Sequence, residues 1–469
     1  MYLTCIVKEL LLNIKSMRYA LTFFLFLLLT TSSVMVRTHL YKKQKADYQK
    51  AVVERMRNME MVERWWQSSG LGVTVEKMPN PLAIFAAGLE NEMTRSFSLS
   101  GWRAPTTGWR KLRNPSFQYF LQLDMVLVIN IVCSLLALLL VFDGINGERE
   151  NGTLKVMLSG PLPRDVVIVS KMAAGLITVL VPLLISWVAA LIYVTVIGRV
   201  QLGAEHITRL AWIVALSVVY ISFFFALGIA ASSWTRRSAT SLAVCLFAWV
   251  VVVLAVPNLV PMAVKHFAPI PPQSKIMVEK DGIMKSIEEE LEPRWREELV
   301  NTGKYEGIND LMAEIDRLKT EEFNKRVAKI NRFYNSRIRR QLSLNQRISR
   351  VSPSASFVFA ATHMAGVGVQ DFLSLLADVN TFQRNFLDVK ARQEHERRER
   401  EEREKNTKRD PDEKRIDAYD PKRWPAFAPR RIAPADVLND CWIDVVLLCG
   451  ATGILFLSGF VGFMRYDVR

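Results

Sequence analysis

The sequence predicts an all-α membrane protein with six transmembrane helices and a mainly helical extracytoplasmic domain built from two insertions. Three observations carry this. Half of the residues are hydrophobic and 23% are charged, yet the mean hydropathy is +0.13, so apolar and charged residues must lie in separate blocks. Several of the apolar blocks approach the roughly 20 residues needed to cross a bilayer. Within the long hydrophilic blocks, apolar residues recur at the three- and four-residue spacing of amphipathic helices.

Residues 1–17 alternate apolar and cationic residues at helical spacing, which suits a helix lying in the membrane interface. The first crossing is 18–36. Its Thr30 to Val34 region lacks a small-x-small cleavage site, so it reads as a retained anchor rather than a signal peptide. The first insertion, 37–118, opens with a charged helix, Arg37 to Trp66, carrying Leu40, Tyr48, Val52, Met56, Met59 and Val62 on one stripe. Pro79, Pro81, Gly101, Pro105 and Pro115 then break it into short pieces. The second crossing is 119–142 and the third 172–198, the latter kinked at Pro182; the fourth, 210–234, and the fifth, 239–257, form a tight hairpin around Arg236 and Arg237.

The second insertion, 258–438, is the larger. From Ile308 to Ile348 its apolar positions fall by threes and fours, and Gln370 to about Arg409 begins apolar and becomes nearly pure Glu, Arg and Lys, as a solvated helix does. A proline-rich connector, Pro411 to Pro434, leads to the sixth crossing, 440–464, and the tail 465–469. Cationic residues of the short loops set the orientation. Lys8, Lys15 and Arg18, then Arg149, Lys155, Arg164 and Lys171, then Arg236 and Arg237, and finally Arg465 and Arg469 all fall on one side, opposed only by Arg199 and Arg209. Both termini are therefore expected in the cytoplasm and both insertions outside.

Between the second and third crossings lies a polar stretch, 143–171, that reads as a docking element. Asn151 is expected to cap a short helix with Leu154, Met157 and Leu158 on one apolar face and Lys155 on the other, ended by Gly160, Pro161 and Pro163. The net charge of +15 does not indicate nucleic acid, because the basic residues share their segments with Glu and are not interleaved with aromatics. The five cysteines lie in or beside apolar runs and contain no CxxC, so no disulfide framework or metal pattern follows. No G-x-x-x-x-G-K-[ST] phosphate loop is present; Gly303-Lys304-Tyr305 lacks the first glycine and the hydroxyl residue.

Asp124, Asn130 and Asp444 are candidate intramembrane polar residues, with pairing or snorkelling as the plain reading of the two carboxylates. Met56, Met59 and Met61 read as helical packing rather than a copper site, and His363 as packing at the base of the outer domain. No catalytic set is assembled by the sequence.

The run Glu148, Glu150, Gly152, Thr153, Leu154, Leu158, Ser159, Pro161, Arg164 and then Lys171, set in six crossings behind an amphipathic N-terminal helix, resembles the permease subunit of ABC-2 type ABC transporters. Asn80 to Glu90, Arg350 to Phe372 and the terminal FMRYDVR are similar to the branch known as permeases of multicopper-enzyme maturation systems, with large extracytoplasmic insertions. The resemblance implies that Glu148, Glu150, Gly152, Thr153, Leu154, Met157, Leu158, Arg164 and Lys171 belong to the stretch that fits a groove on a cytoplasmic ATPase. It implies further that ATP and Mg are bound by that separate subunit and none by this chain, and that the permease pairs with a second copy or a paralogue in a bacterial inner membrane. An extracytoplasmic protein is a candidate partner, nucleic acid is not, and export or rearrangement of an outer partner is the expected outcome. The alternative is a membrane-anchored receptor or scaffold whose outer domain binds a protein without transport.

Overall fold

The computed structural model describes residues 2–60, 73–90, 96–99, 106–107, 123–159, 163–302, 308–406, 427, 429–430 and 433–465. Six of its helices are long and apolar enough to cross a membrane: Tyr19–Arg57, Met125–Glu150, Arg164–Ile197, Ala204–Trp234, Ser238–Phe267 and Ala435–Met464. A helix satisfies every backbone group internally, which is what an apolar run in lipid requires.

The chain opens with α1, Tyr2–Ile14, and α2, Met17–Glu60, which carries the first apolar block and continues unbroken into charged residues. Where the sequence suggests only short broken pieces, three strands pair antiparallel: β1 Val73–Glu76, β2 Ser96–Leu99 and β3 Thr106–Thr107. Val73 pairs with Leu99 and Phe97 with Thr107, and Val73, Phe97 and Thr107 are of the β-branched or aromatic types that strands favour. Helix α3 starts at Met125–Leu127, passes through the π-helical Val128–Cys133 and ends in Ser134–Val141. Two short helices follow, α4 Asn146–Glu150 and α5 Thr153–Ser159.

Helix α6, Arg164–Ile192, runs on into a π-helical turn at Tyr193–Ile197 and holds Pro182 without ending there. Helix α7 is Ala204–Trp234; α8, Ser238–Trp249, continues through the π-helical Val250–Ala255 into α9, Val256–Phe267. The second insertion contributes α10 Gln273–Thr302, α11 Ile308–Ser349, α12 Pro353–Met364 and α13 Val369–Asn406, and α14, Pro434–Met464, is the last crossing. Helices α10 and α11 close on each other over Ile287, Phe323 and Val327, so the apolar stripe read from Ile308 to Ile348 lies on one long helix that packs in part on the helix before it.

The main core lies among α3, α6, α7 and α14, around the fully buried Tyr220, Phe224 and Phe225. Helices α3 and α7 approach closely because Gly228 presents no side chain to Val141; a Cβ there would collide with Val141 Cγ1. Valine has little rotamer freedom in a helix, so it cannot easily turn aside. Gly228→Val is expected to lower stability by about 1–3 kcal/mol through overpacking. Gly282→Ala, where the new methyl meets nothing within 4 Å, should instead gain up to about 1 kcal/mol of helix propensity. Thermal unfolding in detergent measures both, and equal shifts would remove the packing argument.

The bundle has two distinct ends. At the short-loop end, α4 and α5, the α7–α8 turn, α1 and the last turn of α14 gather, so the chain's first and last described segments lie together. At the insertion end, α12 enters the bundle. Every residue from Ser354 to Met364 is buried, and the helix packs on α7 and α14. Twelve residues span only about 18 Å, too short to cross a bilayer.

Candidate functional site

The stretch singled out in the sequence is mounted rigidly at the short-loop end. The backbone N–H groups of Ile145 and Asn146 both donate to Ser232 Oγ at 3.1 Å, and Asn146 Nδ2 donates to Thr235 Oγ1 at 2.7 Å, which fixes the start of α4 on α7. Glu150, at the other end of α4, takes the free N–H of Ser238 at 2.8 Å and its hydroxyl at 2.8 Å, so it caps the start of α8 from outside. Lys171 on α6 donates to Glu148 Oε1 at 2.7 Å and to Glu9 Oε1 at 3.3 Å, one ammonium holding α1, α4 and α6 together. The second oxygen of Glu148, Oε2, is buried without a hydrogen-bond partner. Arg164 donates to the carbonyl of Met464 at 2.9 Å, and Tyr2 donates to Asp165 at 2.9 Å.

Asn151 does not cap the second short helix as the sequence suggests. It closes α4, and Gly152, with φ +73°, turns the chain into α5, whose Thr153 hydroxyl donates back to the Glu148 carbonyl at 3.2 Å. On α5, Leu154 is turned into the core at 1% exposure, Met157 is half-buried, Lys155 is exposed and Val156 stands out at 75%. The side chain of Leu158, and residues 160–162, lie outside the described residues. Of the nine residues assigned to docking, Glu148, Glu150, Leu154, Arg164 and Lys171 hold the stretch in place, and the surface around Lys155 and Val156 is what it offers outward.

The three intramembrane polar residues all turn out to be tied. Both carboxylate oxygens of Asp124 accept backbone N–H groups, Leu127 at 2.7 Å and Ala87 at 2.6 Å, so it caps α3 and pins the Asn80–Glu90 segment. Asn130 Oδ1 accepts from Tyr220 at 2.6 Å and from Ser354 on α12 at 2.7 Å, inside the π-helical part of α3. Tyr220 also stacks on Phe357 of α12, with ring centroids 4.4 Å apart. Asp444 receives a two-pronged bond from Arg350, 2.7 Å to Nε and 2.9 Å to NH2.

Two segments that looked like one family branch in the sequence interlock at the insertion end. Asn80 Nδ2 donates to the carbonyl of Ala365 at 2.7 Å, Leu89 N–H donates to that of Val367 at 2.9 Å, and Phe85 stacks on Trp187 at 5.6 Å. Gly88 permits this: at φ +44° its Cβ would lie 2.5 Å from the Val367 oxygen. Sequence reasoning missed the burial of α12. The available signal was the uncharged, small-residue run from Ser352 to Thr362, too short to be taken for a crossing.

His363, at the end of α12, bonds through Nδ1 to Asp371 at 2.8 Å, and its Nε2 lies 3.6 Å from Asp440. Burial disfavours the charged ring, but the bond and charge of Asp371 and the charge of Asp440 outweigh it and raise the pKa. Because the folded value lies above the unfolded one of about 6.5, protonation stabilises the fold: the contribution is complete below about pH 6.5 and is lost as pH rises through the folded value. Thermal unfolding between about pH 6 and about pH 9 should show this loss in the wild type and not in His363→Gln; parallel profiles would refute it.

Among the described residues, no group of three or more His, Cys, Asp or Glu converges as a metal site. Met56 is exposed, while the Met59 side chain and Met61 lie outside the described residues. No curated protein matches the chain. A family model described as "ABC-2 family transporter protein" matches residues 3–468, nearly the whole length. Six crossing helices, a rigidly mounted polar stretch at one end and that match agree: the chain belongs to the ABC-2 transporter family, as a multi-pass membrane permease subunit of an ABC transporter.

Proposed function

We propose that the Asp143 to Lys171 stretch seats a cytoplasmic ATPase subunit and passes its nucleotide-driven movement to the crossings, driving export of a substrate or rearrangement of an outer protein. The observation that supports this most is the mounting of α4 and α5: Asn146 on α7, Glu150 on α8, Lys171 on α6 and Glu9 on α1 make a junction through which a push on α5 is felt by four helices at once. A partner can shift such an equilibrium only through contacts that differ between two states, and a stiff junction delivers that difference without absorbing it. In this reading the short-loop end is cytoplasmic in a bacterial inner membrane, ATP and Mg stay with the ATPase subunit, and a second permease completes the complex.

The test uses the exposed face. Val156→Asp adds a charge at a position the fold leaves in the open, so the chain itself should remain intact. It is expected to reduce recovery of ATP-hydrolysing activity with the affinity-purified permease by tenfold or more. Unchanged recovery would count against docking at α5 and favour the scaffold alternative.

A further inference from the structure

The last turns of α11 carry three buried oxygens without hydrogen-bond partners: Gln341 Oε1, Asn345 Oδ1 and Ser349 Oγ. The three residues are 2%, 6% and 0% exposed. Their four-residue spacing puts them on one side of the helix, with successive oxygens about 6 Å apart along its axis. Gln341 uses its amide N–H on the carbonyl of Ala268, just past α9, at 3.0 Å. This is the side on which α9 and α11 pack.

The buried face of α9 is Pro257, Pro261 and Val264. None of these side chains can donate. The prolines also lack N–H groups, so they bring no backbone donor to that face. Gln341 Oε1 and Asn345 Oδ1 can only accept, while the Ser349 hydroxyl can both accept and donate. A buried acceptor left unpaired costs about 1–3 kcal/mol, so the two amide oxygens call for an occupant that donates, and the Ser349 hydroxyl suits one that can also accept. The row also leads inward. Ser352 Oγ donates to the carbonyl of Val252 at 2.5 Å, and Ser354 to Asn130 at 2.7 Å, continuing a polar line into the π-helical turns of α3 and the fifth crossing.

We propose that the α9–α11 seam is a hydrated groove that binds the hydroxyl or amide N–H groups of a small uncharged polar solute, with water as its occupant at rest. The chemistry of the row selects this class. An anion would face two amide oxygens with no charge in the row to balance its own, and a divalent cation would find no carboxylate in the row, the nearby Asp444 being held by Arg350. An apolar chain would leave all three oxygens unpaired. As a solute site of a transporter this rests on the permease reading above.

The test is cysteine labelling from a water-soluble, membrane-impermeant thiol reagent, on full-length chain in native membranes with its own cysteines replaced. Asn345→Cys and Ser349→Cys are expected to react at least tenfold faster than Leu342→Cys, a buried position on the same helix that belongs to the apolar core. Glycerol, a donor-bearing probe, should slow them severalfold, while the same concentration of glycine betaine, which has no donor, should not. Equal rates at 345 and 342 would show a dry seam and overturn the proposal. Fast labelling that ignores glycerol would leave solvent in the groove and overturn the solute site. Ser349→Cys differs from the native residue by one atom, so its result stands even if Asn345→Cys folds poorly. Labelling is read without nucleotide, so its failure is separable from loss of ATPase recovery.

Discussion

Replacing Lys171 with alanine should uncouple the permease from ATP hydrolysis while leaving it in the membrane. Its ammonium bridges Glu148 and Glu9, and the side chains of Lys171, Glu9 and Glu148 are 12%, 17% and 23% exposed. Hydrogen bonds to charged groups at such depth contribute about 1.5–3 kcal/mol. Removing the cation also takes from both carboxylates the charge they share, at the junction of α1, α4 and α6. A loss of that size corresponds to roughly a tenfold to hundredfold fall in the population of the docked geometry. Recovery of ATPase activity with the purified permease should fall accordingly, and Lys171→Arg should retain most of it. The double variant Glu148→Gln with Lys171→Met should lose less than the two single changes together, because it removes one of the two carboxylates along with the cation they share. Full recovery in Lys171→Ala would show that the junction does not set the docking surface.

The second large effect is expected at Arg350 and Asp444. Arg350 sits at the turn between α11 and α12, and its fork reaches a carboxylate that is 2% exposed on α14. Removing one partner of a buried pair costs about 3–5 kcal/mol, because the other charge is left without compensation. Arg350→Ala should therefore lower the unfolding temperature of the detergent-purified chain sharply. Arg350→Lys should rescue it poorly, since a point charge cannot reproduce two parallel bonds. Arg350→Met with Asp444→Leu should recover much of the loss. A double variant as unstable as the single one would mean that packing at the α12 turn, rather than the charge, is what matters.

These two sites differ in how far they could be read beforehand. Glu148, Glu150 and Lys171 could be picked out from a contiguous run, because a docking stretch between two apolar blocks is a local pattern. The partner of Lys171 on α1, Glu9, could not, since it lies 162 residues away and nothing in its own surroundings marks it. Asp124 and Asp444 stood out as carboxylates in apolar runs, yet their long-range tasks, pinning Ala87 and holding Arg350, depend on segments that arrive from the insertions. Asn80 and Ala365 meet across 285 residues, a separation over which periodicity carries no information. The sheet from Val73 to Thr107 was also illegible, because its strands are short and set among prolines and glycines that read as loop.

By itself the sequence determined the class of this protein: segregated apolar blocks long enough to cross a bilayer, amphipathic spacing in the insertions, and one polar stretch with the marks of a membrane permease. Each of these is a property of neighbouring residues, fixed by hydropathy and by the 3.6-residue period of the helix. Only the tertiary structure decided that α12 is drawn into the bundle, that the two insertions lock over it, and that the last turns of α11 are left with unpaired oxygens against the prolines of α9. Those features arise from which faces meet, and a chain states its faces long before it states their partners.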